Sequence, residues 1–342
     1  MYPICTLFGT DSYGAPVYLI TLKNKSGISA EVISFGASLR ALYIPDAGLQ
    51  PADIVLGYDS LEGYMRDTAY LGATIGRTAC RIPNAKFELL SNTYTLANND
   101  GNHHLHGGVV GFNKHNWNYA LLDDGVIFTR CSPHGEEGYP GSLTVSITYR
   151  LNDNALSIDY LAFSDRATVI NLTNHSYFNL AGHNKKDILS QELMLNSDFY
   201  MPANKECIAS GELFSVKGTP MEFSSFKQFG KDINADYPQL KQYGGYDHYY
   251  FIKGHGFREA AVVRDIKSGR SLKLKTDLPG LQLFTSNDTN VLGKGGTHYG
   301  SYCAFCLETQ YPQSSLFNSY FKGPQLEPYT AWHSRTEYEF SW

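Results

Sequence analysis

Leu143-Thr144-Val145-Ser146-Ile147-Thr148-Tyr149-Arg150-Leu151-Asn152-Asp153-Asn154-Ala155-Leu156-Ser157-Ile158-Asp159-Tyr160 is the stretch whose pattern decides the fold. Leu143, Val145, Ile147 and Tyr149 alternate with Thr144, Ser146, Thr148 and Arg150, the period-two pattern of a strand with one buried face. Leu156, Ile158 and Tyr160 resume the alternation beyond Asn152-Asp153-Asn154, whose side chains favour turns. The expected structure is an antiparallel hairpin. A second hairpin is predicted from residues 260–265 and 271–276, joined through Lys267-Ser268-Gly269.

The pattern extends outward over the whole chain. Strands are predicted over residues 16–22, 30–43, 53–57, 126–131, 192–195, 249–252, 281–285, 302–309 and 336–340. Only residues 60–65 and 224–229 offer a helical turn or two, and no long stripe of period 3.6 exists to build βαβ units. The composition agrees, with 25 Tyr, 19 Phe and 32 Gly suiting strands and tight turns. No repeat, low-complexity tract or Pro/Ser-rich linker divides the 342 residues. One all-β domain over residues 1–342, a large sandwich or barrel, is expected.

Charge and cysteine usage exclude several classes. Lys and Arg number 28 against 33 Asp and Glu, a net charge of −5 without a basic run, so nucleic acid is not the expected partner. No apolar run approaches the ~18–20 residues that span a bilayer, and the first residues lack a secretory pattern. A soluble, cytoplasmic protein without membrane or nucleic-acid partners is expected. Six scattered cysteines make no disulfide scaffold, and Cys303-Ala304-Phe305-Cys306 sits in an apolar run that reads as a buried strand. Gly293-Lys294-Gly295-Gly296 lacks a strand-to-helix frame, so it reads as a surface loop rather than a phosphate cradle.

Three segments interrupt strand-like sequence with titratable side chains. In Gly101-Asn102-His103-His104-Leu105-His106-Gly107-Gly108, a strand would put His104 and His106 on one face. A metal site, a catalytic or sugar-binding histidine, and a polar loop are all compatible with it. In Asn171-Leu172-Thr173-Asn174-His175-Ser176-Tyr177-Phe178-Asn179-Leu180, both faces carry polar groups, as in a strand lining a polar cleft. There His175 is either a site residue or a satisfied core histidine. In Phe305-Cys306-Leu307-Glu308-Thr309-Gln310-Tyr311-Pro312, Glu308 follows an apolar run. A half-buried glutamate there would have a raised pKa suited to a general base; a glutamate at the solvent end of the strand is the alternative.

Together these segments resemble the aldose 1-epimerase (galactose mutarotase) family. The resemblance runs in order through Asp53-Ile54-Val55-Leu56-Gly57-Tyr58, Gly76-Arg77-Thr78-Ala79-Cys80-Arg81-Ile82 and Leu105-His106-Gly107-Gly108. It continues through Gly135-Glu136-Glu137-Gly138-Tyr139-Pro140-Gly141, the 171–180 string, Gly245-Tyr246-Asp247-His248 and Leu307-Glu308-Thr309-Gln310. It implies a β-sandwich of the galactose mutarotase type that interconverts the α and β anomers of a free aldose, galactose or glucose, without metal or organic cofactor. Glu308 resembles the family's general base at the C1 hydroxyl, and His175 its general acid at the ring oxygen. His106 would stabilise charge beside them. Arg81, Asp247 and Gln282 resemble the residues that hold sugar hydroxyls, and Trp117, Tyr177 and Phe284 are candidates to stack on the sugar.

One position departs from the pattern. The family commonly has Ala-Asn-Arg-Ile where this chain has Ala79-Cys80-Arg81-Ile82, which bears on substrate preference. A sugar-binding protein without turnover, and a disaccharide or hexose 6-phosphate substrate, stand as alternatives. A phosphate would call for a basic cluster, and near the motifs only Arg77 and Arg81 offer charge. Monomer and homodimer both remain open.

Overall fold

A computed structural model describes residues 2–316, 323 and 325–342. The decisive hairpin is present, Leu143–Asn152 against Ala155–Ser164, in register from Leu143↔Ser164 to Asn152↔Ala155. It sits in a nine-stranded antiparallel sheet with the second predicted hairpin, Arg258–Arg264 and Ser271–Thr276. The strand Ala331–Ser341 joins the two, pairing Ile158 with Thr336 on one side and Leu274 with Tyr338 on the other. Alternation has the predicted consequence: Leu143, Val145, Ile147, Tyr149, Leu156, Ile158 and Tyr160 are all buried in the core.

Two five-stranded antiparallel sheets cover that apolar face. One runs through Ile4–Thr10, Pro16–Lys23, Ser29–Ile33, Ser38–Pro45 and Pro51–Asp53; the other holds Ser197–Met201, Asp247–Ile252, Gly280–Phe284 and Cys306–Gln310, with Phe214–Ser215 at its edge. Ile20, Val32 and Leu42 from the first, and Leu281, Leu283 and Leu307 from the second, share one core with the large sheet. The architecture is an antiparallel β-sandwich. Among the described residues no helix is long and apolar enough to cross a membrane.

Several segments differ from expectation. Residues 30–43 form two strands rather than one, because Gly36 and Ala37 take positive φ and turn the chain between Ile33 and Ser38. The predicted strand at 302–309 begins only at Cys306, since Tyr302 lies in the left-handed region at φ 60°. The expected turn of helix at 60–65 is Leu61–Arg66, but residues 224–229 are extended at Lys227–Gln228 before a 3₁₀ turn. A second short helix, Pro238–Tyr243, starts on a proline at a position that suits one. Residues 171–180 are not one strand. They form a wedge in which Phe178 bridges Val55 of one five-stranded sheet region and Phe305 of the other, and the whole segment is buried.

Candidate active site

Strand alternation places the first part of the site. In Gly280–Phe284 and Cys306–Gln310, Leu281, Leu283 and Leu307 point into the core, so Gln282 and Glu308 point out of it. Gln282 is directly opposite Glu308, and Asp247 is opposite Phe284 in the neighbouring strand. Gln282 Nε2 donates to Asp247 Oδ1 at 2.7 Å. One sheet face thus presents two carboxylates and an amide side by side.

The wedge and the glycine loop supply the rest. His175 comes from the wedge and faces Glu308, its Nε2 at 3.6 Å from Oε1. His106 ends the short strand His104–Leu105 at φ 50°, just before Gly107 and Gly108. Cys80 N–H donates to His106 Nδ1 at 3.3 Å, so a neutral His106 carries its proton on Nε2. Arg81 pairs with Leu105 across the two-stranded ladder and gives Nε–H to Asp100 at 2.5 Å. Glu308, His175, His106, Arg81, Asp247, Gln282 and Tyr177 all line one cavity of about 400 Å³. A larger groove of about 1100 Å³, around Tyr13, Tyr18, Lys114 and Tyr119, contains none of the seven.

Burial sets the protonation states. The Glu308 carboxyl is held well above the usual carboxylate range by its removal from water and by Asp247. Burial pushes His175 down to about 4 and His106 well below its ordinary value, with His175 adding to the effect on His106. Asp247 is also raised by burial. Two polar atoms on the facing pair, His175 Nδ1 and Glu308 Oε2, are buried without a hydrogen-bond partner. A buried polar group left unpaired costs free energy, so this arrangement is tolerated where a ligand completes it.

The structure decides four features that the sequence left open or placed otherwise. The histidines at 103, 104 and 106 do not converge: His104 bonds Ala97 O and Tyr139 OH, His103 accepts from Asn84 N–H, and only His106 reaches the cleft. The positive φ at His106 breaks the strand alternation that would have paired it with His104. Trp117 is buried against Phe112, away from the cleft, while Tyr177 and Phe284 do line it. Arg77 is no cleft cation; its guanidinium is buried and spent on Ser132, Pro133 and Pro140. The 293–296 loop likewise carries a buried residue, Lys294, which reaches Asp53.

His106, His175 and Glu308 also have donor atoms within 4.8 Å of one another, a set that could close on a cation. The surrounding bonds do not suit one. Metal-bound imidazoles give their second N–H to an acceptor, whereas His106 Nδ1 receives an N–H and His175 Nδ1 faces no partner. Tyr70 escaped the sequence reading. Its ring lies 4.8 Å from His106 and is stacked at 6.0 Å on His175, which has Tyr177 stacked at 5.0 Å. An isolated tyrosine in a loop gives no sequence signal for such a place.

The family model described as aldose 1-epimerase matches residues 18–339. The chain belongs to the aldose 1-epimerase family. Bovine galactose mutarotase is 38% identical over 317 residues, covering 92% of this chain and 91% of its own. The aldose 1-epimerase of Escherichia coli K12 is 35% identical over 334 residues, 96% of each chain. An aldose epimerase homologue from C. elegans superposes with a TM-score of 0.89 at 29% identity, over 94% of this chain and 98% of its own. A galactose 1-epimerase from Lactobacillus acidophilus gives 0.87 at 27% identity, over 99% and 98%. The sandwich is therefore the galactose mutarotase fold, and the chain is an enzyme of the epimerase class acting on aldoses.

Proposed function

We propose that this aldose 1-epimerase interconverts the α and β anomers of free hexoses such as D-galactose and D-glucose, with Glu308 and His175 as base and acid. The observation that carries the reading is the facing pair, 3.6 Å apart, with Glu308 Oε2 and His175 Nδ1 unpartnered. In the reactive form Glu308 is ionised and His175 protonated. Glu308 takes the proton from the C1 hydroxyl, and His175 gives one to the ring oxygen as the C1–O5 bond breaks with its electron pair on O5. The C1–O1 bond becomes the aldehyde.

Ring opening leaves a neutral Glu308 and a neutral His175. Burial favours that neutral pair, as the raised carboxyl and lowered imidazole indicate, so the environment pulls toward the open form. Rotation about C1–C2 presents the other face of the aldehyde, and reclosure returns both protons. His106 Nε2–H donates to oxygen at the reacting end. Asp247, Gln282 and Arg81 grip the remaining hydroxyls, and Tyr177 walls the cleft beside His175. Arg81 is already paired with Asp100, which supports an uncharged aldose over a phosphate ester.

Polarimetry of freshly dissolved α-D-galactose, α-D-glucose and maltose tests the reading. Catalytic amounts of protein should accelerate the approach to equilibrium for the monosaccharides. Buffer-rate curves for all three sugars would overturn it in favour of a binding protein on this fold.

A further inference from the structure

The turn Gly135-Glu136-Glu137-Gly138 lies outside the cleft, yet one of its side chains holds the loop that delivers His106. Glu137 Oε2 accepts Val109 N–H at 2.9 Å and Oε1 accepts Val110 N–H at 3.0 Å. Its backbone carbonyl accepts Ala97 N–H at 3.0 Å, where the same loop begins. Both carboxylate oxygens are therefore committed to consecutive amides, three and four residues past His106.

The intervening glycines leave the clamp no slack. A Cβ on Gly108 would lie 2.1 Å from Glu137 Oε2, and one on Gly107 would lie 1.7 Å from Gly76 O. Only glycine permits this approach at both positions. Glu137 itself has φ 51°, in the left-handed region that non-glycine residues rarely adopt, between Gly135 and Gly138 at φ 86° and 96°. Such strain persists where surrounding contacts over-determine it, and it concentrates at functional positions. Glycine would fill position 137 without strain, but it would carry no carboxylate to the two amides.

We propose that Glu137 is a positioning residue of the reaction: it fixes the Gly107–Val110 backbone and thereby the angle at which His106 Nε2 enters the cleft. This rests on the acid–base reading given above. The neighbouring contacts are consistent, since Tyr139 OH from the same turn bonds His104 Nε2 at 2.7 Å, on the other side of His106.

The test compares Glu137→Ala and Glu137→Gln with the parent by polarimetry and by amide hydrogen exchange. Glu137→Ala should lower kcat roughly tenfold to hundredfold, the scale of a misplaced catalytic group, with KM changed far less. Glu137→Gln keeps one acceptor oxygen and should recover part of the loss. In both variants the Val109 and Val110 amides should exchange faster while the nine-stranded sheet keeps its protection. If Glu137→Ala does not fold, the Gln variant carries both readouts alone. An active parent whose kcat and loop exchange are unmoved in the variants overturns the clamp. A parent without turnover, its loop amides still responding to substitution, overturns the acid–base reading and with it the catalytic role of Glu137.

Discussion

Among the described residues, two buried acid–base pairs lie in this sandwich, and they are opposite in how well they are satisfied. Lys294 and Asp53 have side chains 6% and 7% exposed; His175 and Glu308 are 7% and 3% exposed. Lys294 Nζ contacts Asp53 Oδ2 and donates to Arg40 O at 2.8 Å and Val55 O at 2.9 Å, filling all three of its donors. Asp53 Oδ1 accepts Leu42 N–H and Val55 N–H. The second pair faces across 3.6 Å with one atom on each partner unpaired. Burial is the same, so burial alone does not mark a site; what sets the second pair apart is that two titratable groups with unfilled hydrogen-bonding capacity face each other on the cleft wall. The saturated pair stitches the 293–296 loop to the first five-stranded sheet, and the unsaturated pair lines the cleft.

Substituting each pair separates the two roles. The largest effect is expected from Glu308→Gln, which should lower kcat by about 10²–10⁴-fold or more, the worth of a positioned base. Its thermal midpoint should not fall, because the replaced carboxyl has no bond on Oε2 to lose. Polarimetry together with a thermal melt checks both halves, and retained turnover would place the base elsewhere. Lys294→Met should do the reverse. It strands Asp53 among backbone groups and should cost about 3–5 kcal/mol in urea unfolding. The folded fraction should keep the parent kcat, since Lys294 lies outside the cleft lining. A Lys294→Met protein of parental stability would dissolve the contrast.

The pH dependence of stability should carry the same signature with opposite signs. A folded-state pKa of about 4 for His175 means that, between the ordinary histidine value and 4, the unfolded chain binds more protons. Stability therefore falls as pH drops through that window, by up to about 3 kcal/mol from this group. His248, buried and lowered to about 3, adds in the same direction. Glu308 works the other way: its raised carboxyl contributes stability that is full below the ordinary glutamate value and is lost as pH rises through the folded value. Glu308→Gln should therefore flatten the alkaline side of a stability-against-pH curve and leave the acid side unchanged. A flattened acid side instead would mean that the two assignments are reversed.

The contrast between the pairs also explains what the sequence could and could not disclose. The hairpins were legible because a face buried against another sheet demands strict alternation, and Leu143–Tyr160 supplies it. Glu308 was legible as a carboxylate after an apolar run, whereas Gln282 and Asp247 were marked only by the family resemblance, Asp247 lying on a strand whose inner face is His248, Tyr250 and Ile252. His175 and His106 stood out as polar interruptions, but their convergence comes from positive φ and from the bridges at Phe178, which no periodicity encodes. The burial of Lys294 gave no such signal. Glycines on both sides suggest a solvated loop, and the partner that buries it, Asp53, lies 241 positions away. Tyr70 and Glu137 act through tertiary contacts alone.

Cys80 lies between the two extremes, and it yields the smallest predicted effect. Its backbone is fully employed: N–H to His106 Nδ1 at 3.3 Å, carbonyl to His106 N–H at 3.2 Å. Its sulfur accepts only Gln310 Nε2, at 2.9 Å, and burial pushes the thiol up, so it is an inert acceptor rather than a nucleophile. The residue sits at φ 60°, a conformation that asparagine tolerates and β-branched residues resist. Cys80→Asn should fold normally and hold kcat within about threefold, because the backbone bonds that orient His106 survive; its added amide should instead alter KM and the ranking of galactose against glucose. Cys80→Val removes the same sulfur but opposes the left-handed backbone, and should cost about 1–2 kcal/mol of stability. If Cys80→Asn lowered kcat as strongly as a change at Glu308, the sulfur itself would belong to the unsaturated pair, and the division between satisfied scaffold and unsatisfied site would have to be redrawn to include it.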